Sequence, residues 1–251
     1  MIRFFRSIRQ SLLAQGGITR YLIYALGEIV LVVIGILIAL QINNWNERKK
    51  IQRSIGDHLS ILQDNLAEDR QQLLDLQGSM ADNVNYADSL LGQIRGTLPI
   101  GPGTKKFLAK LLLEKQFRPN RNAIETMTAS NELPYLRPDL RTAVLDYYAL
   151  ISSTSERESI SNTQIQTKYE HHINGVYPEV CQRDNEWEFM RELYKDDPRL
   201  IVPMSAQKLQ ADHLLESHLV SRYYQSLQLE RFYSQLLVLE RQLSTLLKEY
   251  P

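Results

Sequence analysis

The sequence predicts an all-α protein: a single N-terminal transmembrane helix followed by an extramembrane helical bundle with long, coiled-coil-like helices. Three observations predict it. Between Tyr21 and Trp45 the chain reads YLIYALGEIVLVVIGILIALQINNW, an apolar run whose one ionisable residue is Glu28. Beyond it, apolar residues recur every three or four positions over long stretches, with no alternating strand pattern. The prolines fall between those stretches or at their ends.

The first element is the span, residues 21–45. As a helix rising ~1.5 Å per residue, Tyr21 to Leu40 covers about 30 Å, the thickness of a bilayer's hydrocarbon core. Tyr21 and Tyr24 at one end and Trp45 at the other are the expected interface anchors, because their rings are apolar and their tips polar. A cleaved signal peptide is disfavoured. The apolar segment is too long and starts too late, and ALQINNWN lacks a small-x-small cleavage pattern.

Residues 1–20 form a basic tail with Arg3, Arg6, Arg9 and Arg20 and no acid. Phe4, Phe5, Ile8 and Leu12 would share one helical face opposite the first three arginines. That suits a helix lying in the headgroup layer, with Gly16-Gly17 as the corner, and a disordered basic stub is the alternative. Arg48, Lys49, Lys50 and Arg53 match the tail's charge beyond the span. Orientation then rests on size, because long domains translocate largely regardless of charge. The tail is expected in the cytoplasm and the helical domain, residues 46–251, in the periplasm, anchored to the inner membrane. With 29 basic and 29 acidic residues the chain offers no net charge to draw nucleic acid. Cys181 is the only cysteine, so no intramolecular disulfide can form.

Two stretches carry a resemblance. GEIVLVVIGILIALQINNWNE, Gly27 to Glu47, and FRPNRNAIETMTASNELPYLRPDLRTAVLDYY, Phe117 to Tyr148, resemble an uncharacterised family of single-span envelope proteins from Gram-negative bacteria. The resemblance implies an inner-membrane anchor with a helical domain, and implies no activity. Asn131 stands where that family commonly has Gly.

The helical domain opens on a seam. Ile55, Leu59, Leu62, Leu66, Asp69, Leu73, Leu76, Met80, Val84, Ala87, Leu91 and Ile94 follow in steps of three or four, a stripe other helices must cover. Asp69 is its one polar member and is expected at a solvated edge or beside a basic side chain, so that Asp69→Leu would leave the fold intact. GTLPIGPGT, residues 96–104, ends this helix. Short helices are expected near Lys105–Lys115 and Ala123–Ala129, with a turn at Pro119 between them. Pro138-Asp139 suits the start of a helix running through Leu145, Tyr148 and Ile151 toward Ile173. Residues 177–204, with Pro178, Pro198 and Pro203, read as a connector. A last helix from near Ser205 shows Leu229, Phe232, Leu236, Leu239, Leu243, Leu246 and Tyr250 at heptad spacing.

Signatures of common chemistry are missing from the sequence. GxSxG, HExxH and CxxC are absent, and Gly101-Pro-Gly-Thr-Lys-Lys106 lacks the order of a phosphate loop. Glu170-His171-His172 and His213 with Glu216 supply too few ligands to define a metal site, and read as solvated helix faces. Tyr147-Tyr148 and Tyr223-Tyr224 read as packing. The expectation is no enzyme, with no catalytic residue, metal or cofactor.

Glu28 stands out instead. It lies roughly 10 Å along the helix from Tyr21, where a carboxylate is costly unless protonated or paired. Gly35 and Ala39 fall within about 40° of it, so small residues share its face and a second helix could approach closely. Three readings stay open: a helix contact, a proton-titrating site coupled to a partner, or a near-interface Glu bonded to Tyr24 or water. The partners implied are the lipid bilayer and a protein partner or second copy joined through the span. The sequence therefore favours a non-catalytic envelope interaction or scaffold protein. The alternative is a signalling or ion-coupled subunit in which Glu28 links to a membrane partner.

Overall fold

The computed structural model describes residues 18–250, with backbone alone for residues 18–21 and 24. The expected interfacial helix and Gly16-Gly17 corner lie outside the described residues. All regular structure among the described residues is helical: α1 (Ile18–Ile94), α2 (Gly103–Lys110), α3 (Asn122–Ala129), α4 (Pro138–Gln164), α5 (Glu170–Val176), α6 (Glu188–Leu193), α7 (Ala206–Gln210) and α8 (His213–Lys248). A π turn, Ile165–Tyr169, joins α4 to α5. Single 3₁₀ turns occupy Leu133–Tyr135 and Pro178–Val180. The chain divides into two compact units, Met1–Asp57 and His58–Pro251.

In the first unit the apolar run has no protein cover among the described residues. Its most apolar 18-residue window has a mean hydropathy of 2.6 and none of it is buried. Leu22, Leu31, Ile36, Leu40 and Ile42 are all more than half exposed. This is one helix long and apolar enough to cross a membrane.

In the second unit three long helices bury heptad-spaced seams. On α1 the seam is Leu59, Leu62, Leu66, Leu73, Leu76 and Met80, as the sequence predicts, with Asp69 buried among them against expectation, while Val84 is only half-buried. On α4 it is Leu140, Val144, Tyr147, Ile151, Thr154, Glu158 and Ser161, continued by Ile165. On α8 the seam is Leu215, Leu219, Arg222, Ser226, Leu229, Tyr233, Leu236, Glu240, Leu243 and Leu247. Phe232 and Leu239, expected on that seam, are half-buried, because the covered stripe runs instead through Arg222, Ser226, Tyr233 and Glu240. α4 and α8 pack extensively against each other.

A second cluster closes one end of this unit. Leu90, Leu91 and Ile94 of α1 meet Leu108 and Leu111, Tyr169 and Ile173, Val180, and Leu215 and Leu219. The connector folds over this end, because Lys105 is buried there. Its Nζ donates to Asp184 at 2.8 Å, to Gln182 at 3.1 Å and to the Val202 carbonyl at 2.7 Å.

The helix ends follow local rules. α1 stops where Gly96 adopts φ 73°, with Gly96 N–H bonded to Gln93 O and Thr97 N–H to Gly92 O. α3 ends in the same way at Asn131, φ 53°, with Asn131 N–H on Thr128 O and Glu132 N–H on Met127 O. Asn131 holds that left-handed position, which Asn adopts more readily than most residues with a Cβ. α4 starts at Pro138 with Asp139 in its first turn. Near Ser205 the expectation needs correcting. Ser205 caps only the short α7, and Asp212 caps the true long helix by accepting the Leu215 N–H at 2.9 Å.

Candidate functional site

On the span, Gly35 has open space where a Cβ would sit, and Ala39 is exposed. Glu28 is half-buried. Trp45 is exposed with Lys49 Nζ 3.8 Å above its ring, a cation–π pair at one end of the apolar run. The side chains of Tyr21 and Tyr24 lie outside the described residues.

Asp69 contradicts its expected place. It is 1 % exposed, and its bonds are to a tyrosine and a backbone amide, not to a base. Tyr147 Oη donates to its Oδ2 at 2.9 Å, and the Asn120 N–H to its Oδ1 at 3.3 Å. Burial pushes its pKa up to about 6, with the charges of Glu68 and Glu240 adding to the rise and the two hydrogen bonds opposing it. The sequence expectation fails because it treats a seam acid as an interruption, when a tyrosine on the facing seam satisfies it. Glu158 is a second such acid. Its Oε1 accepts from Tyr233 Oη at 2.7 Å and from the Phe117 N–H at 2.8 Å, while its Oε2 is buried without a partner among the described residues. Desolvation raises its pKa above the ordinary value.

Tyr147 and Tyr148 pack edge to face, 5.4 Å apart, as expected of core aromatics. In the second pair Tyr223 packs against the end cluster as expected, and only Tyr224 departs from that expectation. Tyr224 is exposed beside Arg157, and Tyr223 is half-buried.

The histidines divide. His171 and His213 are exposed, and Glu216 pairs with Arg95 at 3.1 Å. His172 is drawn inward instead: its Nε2 lies 2.7 Å from Asp212 Oδ2, which also accepts from Tyr177 Oη at 2.8 Å. Burial works to raise Asp212, yet the Leu215 N–H, His172 and Tyr177 together hold it below the usual carboxylate range. His218 stacks edgewise on His172, 5.4 Å away. Desolvation and then the charges of His172 and Lys168 lower its pKa.

Beside His218 opens a pocket of about 400 Å³, bounded by the π turn and α8, with Gln164, Lys168, Ser217, Ser221 and Arg222 in its wall. Sequence reasoning misses Arg222 and Lys168. The signal available is the 4-3-4 spacing of Leu215, Leu219, Arg222 and Ser226, which places a guanidinium on a buried seam.

A family described only as of unknown function, DUF6090, matches residues 28–163. That is more than half of the 251 residues. The chain belongs to this family. The DUF6090 region takes in most of the apolar run and the Phe117–Tyr148 stretch, together with the Asp69–Tyr147 contact; Arg222 and His218 lie beyond it. No curated protein and no solved structure matches the chain.

Proposed function

We propose that this protein is a membrane-anchored helical interaction protein of the Gram-negative envelope, without catalysis of its own. Its tail would lie in the cytoplasm, its span in the inner membrane and its helical unit in the periplasm. The observation that carries the reading is the uncovered apolar helix: a core helix of a soluble protein would be buried, whereas none of this window is. Exposed Phe189, Leu193, Leu200, Ile201 and Val202 in the connector favour association over catalysis, since apolar surface of this kind marks contact sites more often than reaction centres. The span would supply the contact through Glu28, Gly35 and Ala39.

Topology is testable with one cysteine. Cys181 is only partly exposed, so the probe is Leu200→Cys in a Cys181→Ser background, Leu200 being 85 % exposed. A membrane-impermeant thiol reagent should label it in cells whose outer membrane alone is permeabilised. Labelling only after inner-membrane lysis overturns the orientation. Crosslinking in membranes followed by affinity capture should return a second copy or a membrane protein partner. Recovery of the protein without any crosslinked species reduces the span to an anchor.

A further inference from the structure

The pocket between the π turn and α8 holds a positive charge that no carboxylate among the described residues pairs with. Arg222 is 4 % exposed. Its Nη1 donates to Ser161 Oγ at 3.2 Å, and its Nε is buried with no partner among the described residues. Burial brings its pKa down to about 10, with Tyr169 opposing the fall, so it stays cationic at neutral pH. A buried cation without a counterion is strongly unfavourable, and a bound anion would relieve it.

Beside the apolar Leu214 and Tyr169, the wall carries further donors. Lys168 is exposed on the π turn, and Ser217 and His218 stand on the first turns of α8. Gln164 and Ser221 form an ordered wall, with Gln164 Oε1 accepting from Ser221 Oγ at 3.1 Å and from the Gln225 amide. The nearby acid, Asp212, is occupied by the Leu215 N–H, His172 and Tyr177. The extra residue of the π turn sets Lys168 and Tyr169 in this wall, an irregularity frequent at functional sites.

We propose that this pocket binds a phosphate group, carried by inorganic phosphate or a small phosphomonoester, with Arg222 and Lys168 balancing its charge and Ser217 and His218 donating to its oxygens. A planar carboxylate offers two oxygens, whereas the free donors of Arg222, Lys168, Ser217 and His218 come from several directions and suit a tetrahedral oxyanion.

The test uses the full-length protein in detergent micelles, titrated calorimetrically with inorganic phosphate in one arm and glycerol 3-phosphate in the other, with acetate as control. Either phosphate should bind saturably, raise the unfolding temperature and move the His218 imidazole titration to higher pH. A preference between the two arms identifies the free or the esterified form as the ligand. Lys168→Gln should weaken binding by roughly tenfold, the loss of one charge-assisted contact. His218→Asp places a carboxylate one helical turn before Arg222 in the same wall, as a built-in counterion, and should abolish binding. It decides the matter even if Arg222→Gln does not fold. The proposal is overturned if neither phosphate binds in the millimolar range, if acetate binds equally well, or if both variants bind as the parent does, which would place the anion on the arginines of residues 1–20.

Discussion

Tyr147 Oη donates a 2.9 Å hydrogen bond to Asp69 Oδ2, joining α4 to α1 across 78 residues of sequence inside the core. Two seams that are otherwise mostly apolar meet there through a phenol and a carboxyl. The pairing fixes register, because any axial slip would leave both groups buried and unbonded.

The first prediction concerns pH. Asp69 titrates near 6 in the fold against 3.8 ordinarily, so between those values the folded chain holds more protons than the unfolded one. The Asp69 contribution to stability is therefore greatest below about pH 4, falls by about 3 kcal/mol as pH rises through the window, and levels off above it, while Asp212, held low, contributes with the opposite sign. Glu158, also raised, acts in the same direction as Asp69. Denaturant unfolding at several pH values should show that slope, and Asp69→Asn should flatten it.

A second prediction reverses the sequence-based one for Asp69→Leu. Leucine leaves Tyr147 Oη and the Asn120 N–H without their acceptor, at about 1–3 kcal/mol for each stranded group. The variant should be clearly destabilised. Adding Tyr147→Phe should cost nothing further, and an additive loss in the double-mutant cycle would refute the coupling.

Lys105 supports a third. Lys105→Met keeps the aliphatic stem but releases Asp184, Gln182 and the Val202 carbonyl. Limited proteolysis between residues 183 and 202 should accelerate several-fold while the helical circular dichroism stays unchanged, because α1, α4 and α8 make no use of those bonds. Unchanged cleavage would show that the connector is held by its apolar contacts alone.

The fourth tests the span. Gly35→Leu fills the open space at this position and should weaken crosslinking in membranes, whereas Val33→Leu on another face should not. Glu28→Gln separates the readings of that residue. A hydrogen-bonded contact survives the exchange, and a proton-coupled role fails.

The elements are legible in the sequence where the physics is local. Pro138 marks its helix start, the glycine-rich stretch from Gly96 the stop of α1, and the 3-4 spacing of α1 its seam. The α8 seam is harder to read, since Phe232 and Leu239 look more core-like than Arg222, Ser226 and Glu240, yet the three polar residues are the buried ones. Periodicity alone favours the apolar residue. Only a facing helix shows which stripe is covered. For the same reason the sequence points Asp69 to an edge and does not single out Arg222 at all.

By itself the sequence determined that the chain is helical, that one segment is long and apolar enough to cross a bilayer, where α1 stops and where α4 starts. These follow from hydropathy, propensity and backbone sterics, which act between near neighbours. The tertiary structure alone decided which acids are buried, that Tyr147 donates to Asp69 and Tyr233 to Glu158, and that Arg222, Lys168 and His218 share one pocket wall. Such pairings join residues dozens of positions apart, and burial by a distant segment, which no local pattern encodes, sets the pKa values of Asp69 and Arg222.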